Sequence, residues 1–559
     1  MRWSRVLHIH HPTLLPLTIA DHHAHHPIHP NPSRHAVIPG GRHLRAAQPF
    51  KPGDAIAYFA EPCIAIPDAP TQALVCNSCL LPSSGTQPRL CTGCKAVAYC
   101  SVACQKADWA RVHKEECKVF RRVQTAAAAG RPLPTPVRAL VQMLLLAEKL
   151  ESSTGLGLES HVDDFRRQSG SGGEPERLEA PSWRDLELQA MGAVHYLGRE
   201  ANPHNIANAL EAACKLQVNS FSRLDPDAGQ TGLYMHPGLA MVNHSCTPSG
   251  FVQFIGRRAV LRAYRSIQKG EEVTISYIAC ELHRSHRQRS LKERYHFQCS
   301  CPRCKDDLDV YEVCQAYSHL DLNRLSLTPD LNIFRNPPIS GSIRSDGALQ
   351  RIVDEIFLEC SQPLTDMDFA KRSKLLGNRW EKCEPLRKAK LYAIEPLPRV
   401  LSEASIYSTE LGKFSHSLAI SCFLALNCDP FQYPMPFHPF RGSINEPMET
   451  RLKQVFEATD SITVAQAALM MGAWWGPKAH SEEWQPYQEA IEVLKDVETL
   501  PGRNDEKKML SLWVKDGQDL EAELFFRHAV LKPVQELASL ALDIMDAEFG
   551  DQRSPVRRN

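Results

Sequence analysis

Between Cys76 and Cys117 the chain carries eight zinc-ligand side chains in four pairs: Cys76-x2-Cys79, Cys91-x2-Cys94, Cys100-x3-Cys104 and His113-x3-Cys117. Zinc takes four tetrahedral soft or borderline ligands, and a Cys-x2-Cys turn or one helical turn puts two of them on one ion. The count therefore predicts two ions and a segment shaped by metal. His113 and Cys117 are four apart, on one helical face, and Ala103 to Lys118 contains neither Pro nor Gly. A second cluster, Cys299-x-Cys301-x2-Cys304, offers only three thiolates. Upstream, Cys246 in Asn243-His244-Ser245-Cys246-Thr247-Pro248 is the candidate fourth ligand of a third structural Zn2+. Metal-binding thiolates are reduced ones, which points to the nucleus or the cytoplasm. The match of Asn243-His244-Ser245 to a glycosylation sequon then has no consequence.

The 559 residues suggest three or four domains. With 43% hydrophobic and 23% charged residues, collagen-like, fully disordered and membrane-embedded classes drop out. The longest apolar helical stretch, Ala139 to Ala147, is interrupted by Gln142 and falls short of the ~20 residues a bilayer requires. Lys plus Arg and Asp plus Glu both number 64, so no global charge favours direct nucleic-acid binding or an anionic membrane. Residues 1–35 hold nine of the 24 histidines and one acid, Asp21, without amphipathic period, and read as a disordered extension. Gln168 to Pro175 reads as a flexible loop. After Lys305 periodic helices alternate with Pro-rich joins such as Pro430 to Phe437. Ala522 to Phe549 keeps an apolar face of Leu524, Leu531, Leu537, Leu540 and Ile544 despite Pro533. No clean 34-residue repeat is visible.

The first run, with Tyr99 before Cys100 and Trp109 before His113, resembles the MYND zinc finger. Ligand pairs interleave in that family, which implies one ion on Cys76, Cys79, Cys100 and Cys104 and another on Cys91, Cys94, His113 and Cys117. Asn243-His244-Ser245-Cys246, then Gly270-Glu271-Glu272-Val273-Thr274-Ile275-Ser276-Tyr277, then the Cys-x-Cys-x2-Cys run resemble the end of a SET domain and its post-SET zinc site. Together these features resemble the SET and MYND domain (SMYD) lysine methyltransferases, in which the finger splits the SET domain. Gly40-Gly41-Arg42-His43-Leu44-Arg45-Ala46 is similar to the family's opening strands, with His43 at the second glycine of a Gly-x-Gly turn. A side chain there is expected to narrow or reshape the cofactor pocket. Ser249 stands where the family usually has Asn, and Val218-Asn219-Ser220-Phe221 is similar to its Asn-Ser-Phe segment.

The resemblance implies an α+β multidomain fold, a β-rich SET fold split by a MYND zinc finger and a helical insertion, with a post-SET zinc site and an α-helical C-terminal domain. Its boundaries would be 36–75 and 218–280 for the two SET parts, 76–117 for the finger, 118–217 for the insertion, 281–305 for post-SET and 306–559 for the C-terminal domain. It implies Tyr277 and Tyr295 as catalytic residues. Gly41, Arg42, His43, Asn219, Asn243, His244 and Phe297 would hold S-adenosylmethionine. Read without the family, Asn219 also fits a polar end to the Asn205–Leu216 helix, Asn243 and His244 a capped turn, and Tyr277 a core position on an alternating strand. Methyl transfer from a sulfonium to a lysine amine needs a neutral amine, in-line geometry and exclusion of water. An apolar aromatic channel supplies these, because desolvation lowers the lysine pKa while phenol oxygens orient the amine. The expected partners are a protein substrate presenting a lysine and peptide ligands of the finger, on a monomer. The alternative is a SET-MYND adaptor with weak or no catalysis.

Overall fold

The computed structural model describes residues 37–38, 41–51, 53–81, 87–125, 132–154, 158–168, 181–225, 229–316, 347–360, 364, 367–434, 524 and 532–550. The extension of residues 1–35, all but the first residue of the Gln168–Pro175 loop, and Leu531 lie outside them.

Of the strands that precede Cys76, β1 (Val37–Ile38) and β2 (Gly41–Arg42) pair with each other, and the next three find their partners far along the chain. Strand β3 (Leu44–Arg45) pairs with β13 (Glu272–Ile275), β4 (Ala55–Phe59) with β12 (Arg258–Ala263), and β5 (Ile64–Pro67) with β9 (Gly229–Met235). The three-stranded sheets are completed by β10 (Asn243–His244), parallel to β13, by β11 (Gly250–Ile255) and by β8 (Phe221–Asp225). Their shared core includes Leu44, Phe59, Tyr234, Leu239, Val242, Leu261, Val273 and Ile275. Val273 and Ile275 both bury, as the period-two alternation of β13 requires. One β-rich body is thus assembled from two stretches of sequence, and the residues between them form an excursion that leaves and returns.

That excursion contains the first cysteine cluster, the short hairpin of β6 (Arg89–Leu90) and β7 (Ala98–Tyr99) and, among the described residues, six α-helices. Helix α1 (Val102–Asp108) is capped by the Ser101 side chain, which accepts from the Cys104 amide. The expected continuous helix from Ala103 to Lys118 is instead interrupted by a π turn at Trp109–His113 before α2 (Lys114–Thr125). Wide turns of this kind occur at functional positions. Here the Asp108 carboxylate meets the Tyr99 hydroxyl at 2.7 Å, while His113 joins the metal-ligand side chains. Helix α3 (Thr135–Thr154) carries Ala139, Leu140 and Val141 fully buried, and α4 (Val162–Gln168) follows. Helix α5 (Trp183–Leu197) begins with a Ser182/Asp185 capping box and ends on left-handed Gly198. Helix α6 (Pro203–Asn219) exceeds the expected Asn205–Leu216 at both ends. Asn202 caps it and Pro203 occupies its first turn, where no amide donor is needed.

After α7 (Arg284–Tyr295) and α8 (Pro302–Lys305), every described element is helical. Trp380, Leu397, Leu401, Ile420 and Met545 pack in its core, joined by the stacked Phe251 and Tyr264 of the β body. Two sequence expectations change here. Pro533 sits in the first turn of the helix Lys532–Ser539, where a proline is tolerated, and Asp429–Gln432 in the expected Pro-rich join is a helical turn with Pro430 near its start. Leu524 and Leu540 are exposed; Leu540 falls between two helices and leaves the apolar face assigned to it. Among the described residues no helix is long and apolar enough to cross a membrane.

Candidate functional site

Three groups of four side chains bring their ligand atoms within 4.8 Å of one another: Cys76, Cys79, Cys100 and Cys104; Cys91, Cys94, His113 and Cys117; Cys246, Cys299, Cys301 and Cys304. A tetrahedron with Zn–S bonds of about 2.3 Å has S···S edges of about 3.7 Å. The edges fit: Cys79 to Cys100 is 3.7 Å, Cys100 to Cys104 is 3.5 Å, and Cys246 to Cys304 is 3.6 Å. His113 Nε2 lies 3.4 Å from Cys91 Sγ and 3.7 Å from Cys94 Sγ. The thiols are free rather than paired in disulfides, so these residues can bind zinc.

The group around His113 is entirely buried and tied to its surroundings by charge. His113 Nδ1 meets Glu116 Oε2 at 3.1 Å, which leaves Nε2 for the metal. Glu116 also accepts two bonds from Arg138, at 2.8 and 3.2 Å, and one from Gln142 at 2.8 Å. Arg138 in turn donates to Asn77 Oδ1 at 2.9 Å, inside the Cys76-x2-Cys79 turn. Glu116 is wholly buried, yet its carboxyl stays well below the usual carboxylate range: Arg138 and His113 outweigh the desolvation that pushes it up. Arg138 and Gln142 are four apart on α3, so one helical face delivers both. The third group has its own cations: Arg287 reaches Cys304 Sγ at 3.7 Å and Arg303 the Cys246 carbonyl at 3.4 Å.

Beside that third group, aromatic rings converge. The Tyr277 ring lies 4.8 Å from Tyr295, 5.3 Å from His244 and 6.4 Å from Phe297, the last edge-on. The Tyr277 hydroxyl donates to the Val242 carbonyl at 2.6 Å, and burial pushes this phenol's pKa up, so it stays protonated. The Tyr277 amide donates to His244 Nδ1 at 3.1 Å; the ring proton therefore sits on Nε2, 3.3 Å from Cys246 Sγ. Burial lowers the His244 pKa to about 4 and keeps the ring neutral. Tyr295 Oη approaches the Tyr277 carbonyl at 3.4 Å. The metal ligands and the aromatic wall are thus one construction, joined through His244.

The remaining expected site residues each have partners of their own. Asn243 Nδ2 donates to Glu272 Oε1 at 2.8 Å. Asn219 Nδ2 donates to the carbonyls of Glu159 and Lys215 at 2.9 and 2.8 Å, so only its oxygen is left for a ligand. Gly41 and Arg42 form a short strand with Val37–Ile38. His43 precedes β3, and one step beyond the β3–β13 register it would oppose Thr274, the partner of Asn243. Its ring is buried and accepts from Arg45 Nε at 2.8 Å, and it is not among the residues with positive φ. A left-handed backbone, the reason for a glycine there, is not needed. Ser249, the second departure, exchanges two bonds with Thr274: Ser249 N–H to Thr274 Oγ1 at 3.2 Å and Thr274 N–H to Ser249 Oγ at 2.9 Å. This clasp closes the Cys246 turn onto β13. Sequence reasoning missed Glu116, Arg138, Arg287 and Arg303. The signals were there as His113-x2-Glu116, Arg138-x3-Gln142 inside an apolar helix, and an arginine within Cys301-x2-Cys304.

Residues 41–278, the β body with its excursion, match the SET domain family. The chain is 32% identical over 246 residues to the SET domain and MYND-type zinc finger protein 6 of Schizosaccharomyces pombe, covering 44% of this chain and 46% of that one. It is 27% identical over 339 residues to histone-lysine N-methyltransferase SMYD3 of Mus musculus, covering 53% and 73%. Against N-lysine methyltransferase SMYD2 of Homo sapiens it is 29% identical over 273 residues, covering 47% and 58%. These relatives carry names of SET and MYND domain proteins, and the chain is similar to them over about half its length. It spans about half the length of the fission yeast and human relatives.

Proposed function

We propose that the chain is a protein-lysine N-methyltransferase that uses S-adenosylmethionine. The observation that carries this reading is the half-buried cluster of Tyr277, Tyr295, Phe297 and His244 set against the Cys246 ligand group. Bound S-adenosylmethionine supplies an electrophilic methyl group. The residues that would hold it are Asn219 through its free oxygen, Asn243, His244, Gly41, Arg42 and His43, with the half-buried ring of Phe297 available to an adenine. The aromatic rings exclude water and disfavour the ammonium form of an entering lysine. Tyr277, whose proton is committed to the Val242 carbonyl, presents oxygen lone pairs to the amine, and Tyr295 flanks it. These are the catalytic residues of the proposal.

In this reading residues 76–117 are a MYND finger with two zinc ions, the SET domain is split around it and the helical insertion, and residues 281–305 carry a post-SET zinc. The substrate is a histone or other protein lysine, the finger takes peptide ligands, and the monomeric protein works in the nucleus or cytoplasm. The relatives named as histone-lysine and N-lysine methyltransferases support the reaction class. Transfer of labelled methyl from S-adenosylmethionine to core histones and a proteome extract tests it. Calorimetry that detects no cofactor binding at millimolar concentration would favour the adaptor instead.

A further inference from the structure

The turn that carries the aromatic wall is held from outside the β body. Helix α7 ends at Tyr295, His296 takes a left-handed conformation with φ 62°, and the chain reverses into Phe297. That reversal brings both Tyr295 and Phe297 against Tyr277, at ring distances of 4.8 and 6.4 Å. A non-glycine residue in this region persists only where its surroundings fix it. The fixing groups come from the helical insertion. The Phe165 ring, fully buried, meets the His296 ring edge-on at 4.2 Å, and the His161 ring lies 5.4 Å away. His161 is itself left-handed, with φ 51°, and its carbonyl accepts the amides of Asp164 and Phe165 as α4 starts. Its two ring nitrogens contact Glu159 and Asp164 carboxylates, each at 3.1 Å. The Glu159 carbonyl accepts from Asn219 Nδ2 at 2.9 Å, which anchors the whole segment to the end of α6.

We propose that residues 159–165 form a brace, and that Phe165 and His296 are positioning residues that fix the spacing of Tyr295 and Phe297 around Tyr277. The consequence for turnover rests on the methyltransferase reading; the brace itself does not. His296→Gly and His296→Asn keep a residue suited to positive φ and remove only the ring, so they separate backbone tolerance from ring contact. Phe165→Leu keeps apolar volume where Phe165→Ala leaves a cavity, and serves if the alanine variant does not fold. Amide exchange of the full-length protein without cofactor should rise about tenfold at residues 296–298 in all of these variants, with exchange in α3 unchanged. With labelled S-adenosylmethionine and core histones, kcat should fall about tenfold or more, because small misplacements at a reacting centre weigh heavily on rate. Exchange at 296–298 equal to wild type in the His296→Gly and Phe165→Leu proteins overturns the brace. Faster exchange with undiminished kcat overturns the positioning role. A wild type that neither binds the cofactor nor transfers methyl defeats the methyltransferase reading instead, and the exchange result still decides the brace.

Discussion

The two ligand groups of the first cysteine cluster use nearly the same side chains at nearly the same spacing, yet they occupy opposite environments. In the outer group Cys76 is buried with the inner ligands, Cys79 and Cys104 are half-buried and Cys100 is exposed; in the inner group all four ligands are buried. Cys91, Cys94 and Cys117 share one core with Phe120, Leu140, Leu144, Leu186 and Ala190 of the helical insertion. The boundary expected at residue 117 is crossed by α2, which runs Lys114–Thr125 without a break. The comparison teaches that the cysteine-rich segment is half a surface module and half an internal part of the helical insertion. The Glu116–Arg138 pair ties the halves together, with Glu116 on His113 and Arg138 on Asn77. The outer face, with Val102 and Trp109 exposed, is the part a partner can touch.

Experiments that sharpen this contrast differ in size of effect. The largest belongs to the third group, whose metal and aromatic wall are continuous. Cys246→Ser should lower the zinc content of purified protein from three ions to two, and with it cofactor binding and transfer should fall more than a hundredfold, because metal binding and local folding are coupled. Unchanged metal content would remove Cys246 from the ligands. Next comes the inner group of the first cluster: Glu116→Gln or Arg138→Leu breaks a buried ion pair and should cost roughly 3–5 kcal/mol of stability in denaturant titration. Cobalt substitution reads the same variants by site, since the His113 group is the one with a nitrogen ligand, and its absorption band should weaken while the all-sulfur bands remain.

Tyr277→Phe removes one oriented oxygen at the reacting centre, worth ~2 kcal/mol or more, so transfer should fall over tenfold with zinc content and melting unchanged. Retained turnover would place the essential oxygen elsewhere, with Tyr295 the next candidate. The smallest effect is expected on the outer face. Lys106→Ala should leave turnover on a short lysine peptide within about twofold while weakening capture of a finger ligand. A mild chelator should strip the outer group first, and activity lost in step with that first ion would erase the distinction between the two halves.

The sequence alone determined which Cys and His side chains gather in groups of four. Metal chemistry demands particular side chains at spacings that one turn or one helical repeat can deliver, so Cys76 to Cys117 and Cys299 to Cys304 announce themselves locally. The alternation in Val273 and Ile275 was readable for the same reason. The tertiary structure decided what local pattern cannot hold. It joined β3 to β13 across more than two hundred residues. It placed Arg138 against Glu116 and set Phe165 against His296. It turned Ser249, which sequence comparison marks only as a departure, into a clasp on Thr274, and gave His43 a buried partner in Arg45 without a left-handed backbone. Buried charge pairs, left-handed residues and edge-on rings depend on the neighbours that surround them, and those neighbours come from elements distant in the chain.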